Sequence, residues 1–194
     1  MPKSLYLAAA SLFLSLPLTA QTMPSAEGTG ITLWMGASVS MFNPDYGCSS
    51  SSPFSCWGHQ LIGLGPYANT SPFFFGRIGA EAQAHFLLWN GPASLTEHSY
   101  MAGPLVRIYS FHELRFNGKF LLGAGHFSLP SNSIENGTYF AFAPGGTIDY
   151  RFAKRLSARL DYEYQTWPSF KSSVTGHSGL TPNGFSLGIG YALR

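Results

Sequence analysis

Leu156-Ser-Ala-Arg-Leu-Asp-Tyr-Glu-Tyr-Gln-Thr-Trp167 is the stretch on which the fold turns. One parity holds Leu156, Ala158, Leu160, Tyr162 and Tyr164; the other holds Ser157, Arg159, Asp161, Glu163 and Gln165. Successive side chains of a strand point to opposite faces, so this spacing describes a strand with one apolar and one charged surface. In a water-soluble sheet the charged surface meets solvent. In a membrane barrel the apolar surface meets lipid and the charged one turns into the lumen. Alternation alone does not choose between the two, and the rest of the chain does.

Of the 194 residues, 10% are charged, 45% apolar and 15% aromatic, whereas soluble domains carry roughly 25% charged residues. A soluble protein of this length would be short of surface charge. Beyond the N-terminus no apolar run approaches the ~20 residues of a spanning helix, so many short alternating segments are the better account. The formal net charge is +2, or +1 once Lys3 leaves with a leader, and no polybasic run points to nucleic acid.

The length fits one domain. Met-Pro-Lys-Ser followed by the apolar run Leu5 to Leu18 and then Thr-Ala before Gln21 has the form of a signal peptide over residues 1–20. Residues 21–29 are expected to be a periplasmic tether and 30–194 the folded barrel. Cys48 and Cys56, with seven residues between them in a Ser-rich loop, are expected to form a disulfide, since an exported chain meets an oxidising compartment.

Working outward from 156–167, seven more segments alternate. Ile31 to Phe42 sets Ile31, Leu33, Met35, Ala37, Val39 and Met41 against Thr32, Trp34, Gly36, Ser38 and Ser40. Trp57 to Ala68 is weaker, with Pro66 expected at a bulge or near the strand end because proline has no N–H for the ladder. Arg77 to Leu88, Ser99 to Phe111, Leu114 to Phe127, Tyr139 to Phe152 and a final segment through Phe185, Leu187, Ile189, Tyr191 and Leu193 complete the set. In the fourth, Tyr109 falls on the inward parity with Gly103, Leu105 and Arg107.

Connections alternate in length as well. Those near 43–56, 89–98, 129–137 and 168–183 are long, while 112–113 and 153–155 are tight and 69–76 is intermediate. Long loops at one end and short turns at the other are the pattern of outer-membrane barrels, and an even strand count returns both termini to the periplasm. The expected fold is therefore all-β, an eight-stranded antiparallel transmembrane β-barrel. Its inward charges are Glu81, Arg107, Arg115, Lys119, Asp149, Arg151, Arg159, Asp161 and Glu163. A barrel of eight strands has an interior just wide enough for side chains, so these groups are expected to pair and fill it.

Gly145-Gly-Thr-Ile-Asp-Tyr-Arg-Phe152, Arg159-Leu-Asp-Tyr-Glu-Tyr164 with Trp167, and Gly184-Phe-Ser-Leu-Gly-Ile-Gly-Tyr191 resemble the small outer-membrane β-barrels of Gram-negative bacteria, in particular the membrane domain of outer membrane protein A. The resemblance covers about residues 30 to 194 and implies a place in the bacterial outer membrane, among its lipids and lipopolysaccharide, after insertion by the barrel assembly machinery. Two departures stand out: the chain closes on Leu193-Arg194 instead of an aromatic, and no peptidoglycan-binding domain follows.

One constellation has the residue types of acyl transfer. His126 and Ser128 share the outward parity at the end of the fifth segment, with Glu135 in the loop beyond. This is similar to the His-x-Ser of the lipid A deacylases, but Leu129 and Pro130 follow the serine where that family has Asn, and Glu135 does not match its acid. The other histidines lack ligand spacing, so neither a metal nor a cofactor is expected. Tyr46, Phe54, Trp57, Trp89, Tyr100, Trp167 and Phe170 are aromatics of loops and strand ends, suited to an interfacial girdle or to an extracellular ligand. The expected role is non-catalytic, either structural or surface binding through the loops. A small passive pore is the first alternative, followed by a lipid A acyl hydrolase and a soluble exported barrel of lipocalin type.

Overall fold

In the computed structural model, which describes residues 31–46, 60–70, 72–89, 94–130, 135–171 and 178–193, the apolar parity of every long strand faces outward. Along Leu156–Tyr164, Ser157, Arg159, Asp161 and Glu163 are buried while Ala158, Leu160, Tyr162 and Tyr164 are exposed. Leu187 and Ile189 stand 66% and 62% exposed on the outer surface. Burying such a side chain is worth about 1.5–3 kcal/mol, which a water-facing position forgoes and a lipid-facing one does not. The soluble lipocalin-type alternative is thereby overturned. The signal peptide, the tether and the disulfide of Cys48 and Cys56 lie outside the described residues.

The strands are β1 (Leu33–Asn43), β2 (Leu61–Thr70), β3 (Ile78–Trp89), β4 (Thr96–Phe111), β5 (Leu114–Ser128), β6 (Gly137–Ala153), β7 (Leu156–Tyr164), β8 (Trp167–Lys171), β9 (Ser178–Leu180) and β10 (Asn183–Leu193). Eight of them form one closed barrel in the order β1-β10-β7-β6-β5-β4-β3-β2. Closure comes from β1 pairing antiparallel with β10, Leu33 opposite Leu193 through Asn43 opposite Asn183. No edge strand is left among the eight, which is what lets backbone polar groups survive in hydrocarbon.

Three local expectations need correction. Pro66 is neither at a strand end nor at a bulge: it sits within β2 opposite Ala37, and the ladder to β3 breaks between Leu64–Phe86 and Tyr67–Gln83 without losing register. The missing N–H is tolerated by one local gap. The register of β2 with β3 shifts instead between Ile62 and Gly63, where Leu88 of β3 is the extra residue. Tyr109 points outward, because a register shift between Arg107 and Tyr109 inserts one residue and flips the parity beyond it. Finally, the long loop after Trp167 contains a two-stranded sheet of its own, β8 with β9.

One end of the barrel is made of tight turns. Phe74 bridges back to Ile78, with Phe75 and Gly76 at φ 49° and 65°, and His112 takes φ 53° in the two-residue turn to β5. The opposite end is closed by an apolar plug that includes Phe42, Leu87, Leu121, Phe127, Trp167 and Phe170, with Tyr46 and Tyr139 packed on it. Trp167 fits only because residue 125 is glycine, since any side chain there would overlap the indole. Thus Tyr46, Trp167 and Phe170, grouped by sequence with exposed loop aromatics, turn inward, while Trp89 and Tyr100 remain on the outer surface. Phe54 and Trp57 lie outside the described residues.

Candidate functional site: the barrel interior and its two ends

Below the apolar plug the lumen is filled by charge. Lys119 of β5 reaches across the barrel with its Nζ 2.8 Å from Asp161 Oδ2 and 2.9 Å from Glu163 Oε2 on β7, and 3.4 Å from Glu81 Oε1 on β3. It also donates to Gln83 Oε1 at 2.8 Å. Arg159 bonds Glu81 and lies 3.7 Å from Asp149 and 3.6 Å from Asp161. Both cations are almost wholly buried. A buried charge without a partner would be expensive, and here each cation is shared among several carboxylates on different strands.

Uncharged groups extend this centre in both directions. Toward the plug, Glu163 accepts from Gln165 Nε2 at 2.7 Å, and Gln165 Oε1 accepts from Trp167 Nε1 at 2.9 Å. Sideways, His85 Nδ1 meets Ser40 Oγ at 3.0 Å, and Ser186 donates to that serine at 2.8 Å. Toward the turns, Asn117 Nδ2 bonds Asp149 Oδ2 at 2.8 Å and Thr147 Oγ1 at 3.0 Å. Sequence parity placed Gln83, His85 and Gln165 inward, but carrying no formal charge they gave no reason to join them to the network.

Three of the nine inward charges expected from sequence stand apart from this centre. Arg151 pairs at 2.7 Å with Glu113 of the β4–β5 turn, on the exposed rim. That bond holds the Glu113 carboxyl below its ordinary range. Arg115 lies over the Trp34 ring, 5.7 Å from its centroid, and Arg107 has its Nε buried without a hydrogen-bond partner among the described residues. Glu97, which sequence left in a loop, is instead fully buried at the start of β4 with neither carboxylate oxygen hydrogen-bonded among the described residues.

Tyr67 divides the remaining space. Its ring crosses the lumen against Gly36 and Gly190, where a side chain would overlap it, and Arg159 stacks on it at 4.5 Å. Two small cavities flank it, one of about 10 Å³ beside His85 and Asp161, the other of about 20 Å³ among Trp34, Arg107 and Arg115 near the turns. The first has room for about one water, and the second opens toward solvent at the turn end.

The residues of the hydrolase alternative do not come together. His126 and Ser128 stay on the outer face, and His126 Nδ1 meets Thr138 Oγ1 at 3.0 Å. Glu135 turns inward, buried, and accepts from the Tyr46 hydroxyl at 2.5 Å. Burial and this carboxylate raise the Tyr46 hydroxyl to a pKa of about 12. An acid on the inner side and a base on the outer side make no relay. Among the described residues no three His, Cys, Asp or Glu side chains converge as a metal site.

No protein-family model matches the chain, and comparison by sequence with curated proteins finds no match. Comparison with solved structures does. Neisserial surface protein A superposes with a TM-score of 0.53 at 10% identity, over 84% of this chain and 96% of its own. The fold is that of the small bacterial outer-membrane barrels. The N-terminal β-barrel domain of Pseudomonas aeruginosa OprF follows at a TM-score of 0.51 and 13% identity, over 84% of this chain and 97% of that one. The outer membrane protein OprG of the same organism matches at 0.50 and 13%, over 86% and 97%. These are likenesses of fold, and the outward apolar belt independently makes this a barrel that faces lipid.

Proposed function

We propose that this outer-membrane barrel is a sealed, non-catalytic scaffold that carries a surface-binding role on its long-loop end. The observation that carries this reading is the filled lumen: an apolar plug, a compensated charge centre around Lys119 and Arg159, and the Tyr67 crossbar follow one another along the axis. The cavities flanking Tyr67 among the described residues are small, of about 10 and 20 Å³. A passive pore needs a continuous aqueous path, and eight-stranded barrels whose side chains fill the interior offer none. The separation of Glu135 from His126 and Ser128 argues against acyl hydrolysis. With the lumen closed and the wall occupied by lipid, the loops are the part of the molecule available to a partner.

In this reading lipids and lipopolysaccharide surround the belt, the barrel assembly machinery inserts it, and an extracellular ligand meets the loops. Planar-bilayer recording of the purified protein tests the sealed lumen: no steady ohmic current is expected, and a stable open level would replace the scaffold with the pore. Proteoliposomes with intact or protease-trimmed loops, applied to immobilised surface glycans and matrix polymers, test the second half. Loop-dependent retention is expected, and equal retention after trimming would refute it.

A further inference from the structure

The cleft at the turn end is lined by more cations than carboxylates. Arg107 of β4, Arg115 of β5 and Arg151 of β6 border it together with Trp34, Tyr67 and Asn69. Arg115 lies near enough to Arg107 and to Arg151 to feel both positive charges. One carboxylate, Asp149, reaches the cleft, and it is already held by Asn117 at 2.8 Å and approached by Arg159 at 3.7 Å. Glu113 is taken by Arg151 on the outer rim.

Two buried atoms at this cleft have no hydrogen-bond partner among the described residues: Arg107 Nε and the hydroxyl of Tyr67, itself 7% exposed. Arg107 Nε can only donate, and the Tyr67 hydroxyl can donate as well as accept, so an acceptor carrying negative charge would suit both. Arg77, Lys154 and Arg155 add exposed positive charge around the same end. In barrels of this architecture the short turns face the periplasm.

We propose that this vestibule binds a compact oxyanion of phosphate type from the periplasmic side, gripped by Arg107 and Arg115 with the Tyr67 hydroxyl as a third donor. Guanidinium groups present paired N–H donors that match tetrahedral oxyanions, and charge-assisted bonds of this kind are the strong ones. The anion offsets the positive charge that Arg107 and Arg151 place around Arg115, and gives Arg107 Nε and the Tyr67 hydroxyl an acceptor. Arg115 rests on the Trp34 indole, and both line the cleft. The same chemistry is offered by free phosphate and by the phosphodiester of an anionic lipid in the inner leaflet.

The test is calorimetric titration of inorganic phosphate into the protein in phosphatidylcholine nanodiscs, in a chloride buffer free of other oxyanions. A saturable single site is expected. Arg107→Gln and Arg115→Gln are each expected to weaken it roughly tenfold, and the double variant to abolish it. Arg155→Gln, outside the cleft, should leave it unchanged, and heat-dependent gel mobility verifies that every variant is folded. No saturable heat in the wild type, equal binding by the folded double variant, or an equal loss in Arg155→Gln would each overturn the proposal. A parallel arm in nanodiscs containing phosphatidylglycerol separates the sources. A weakened apparent phosphate affinity that depends on Arg107 and Arg115 assigns the site to lipid headgroups, and an unchanged affinity assigns it to a free anion.

Discussion

Lys119→Met removes the cation at which three strands meet while keeping an unbranched apolar stem of similar length. Nζ lies 2.8 Å from Asp161, 2.9 Å from Glu163 and 3.4 Å from Glu81, with its side chain fully buried. Deleting one partner of a buried ion pair costs about 3–5 kcal/mol, because the other charge is left uncompensated. Three carboxylates use Lys119, but the cost is not threefold. Arg159 still reaches Glu81 and Asp161, so the deficit concentrates on Glu163, which keeps only Gln83, Gln165 and a 3.9 Å approach from His85. One uncompensated charge sets the expected loss at about 3–5 kcal/mol. Adding Glu163→Gln to Lys119→Met removes that charge, so the double variant is expected to recover about 2 kcal/mol of coupling energy. The assay is reversible urea unfolding in lipid vesicles, read by tryptophan fluorescence and by the mobility difference between boiled and unboiled samples. Molar salt should leave the difference intact, since the pair is not screened by solvent. A loss below about 1 kcal/mol, the range of an exposed pair, or strict additivity of the two substitutions, would refute the reasoning.

Three further substitutions probe the rest of the interior. Glu97→Met replaces a buried carboxylate that has no hydrogen-bond partner among the described residues with an apolar side chain of similar volume, and should stabilise the barrel by about 1–4 kcal/mol in the same urea assay; destabilisation would mean that Glu97 has a partner. Trp167→Ala takes the largest ring from the plug and should cost about 3–5 kcal/mol, seen also as faster proteolysis at the loop end with the heat-dependent mobility shift retained. Tyr46 ionises near 12 in the fold against an ordinary 10.0. A pKa raised on folding gives stability that is complete below 10 and lost as pH climbs toward 12, so Tyr46→Phe should flatten the alkaline fall in the urea midpoint over that window.

The architecture was legible because the strand repeat is two residues and the environment is inverted. Along Leu156–Tyr164 each apolar residue is outward and each polar one buried, and β1, β3 and β10 repeat the pattern. Where parity misled, a single insertion was responsible. The register shift at Arg107 and Tyr109 moved one residue across the wall, and nothing in Arg-Ile-Tyr announces it. The loop aromatics failed for a different reason. Tyr46, Trp167 and Phe170 have the composition of a surface girdle, and only the fold of β8 on β9 over the lumen makes them a plug.

Depth along the barrel is the quantity that alternation does not carry. Nine charges share the inward parity, yet their fates depend on where the strand register places them. Lys119 and Arg159 fall at the level of Glu81, Asp161 and Glu163 and are neutralised there. Arg115 pairs across the ladder with Asp149, but Asn117 and Arg159 hold or approach that carboxylate from deeper in the lumen. Arg107 sits opposite Asn117, a neutral residue. The same residue type on the same face is therefore structural in the middle of the barrel and unsatisfied at its mouth. A barrel sealed at its centre can still recognise something at either end, and the unsatisfied arginines mark the turn end as the place where a charge is missing.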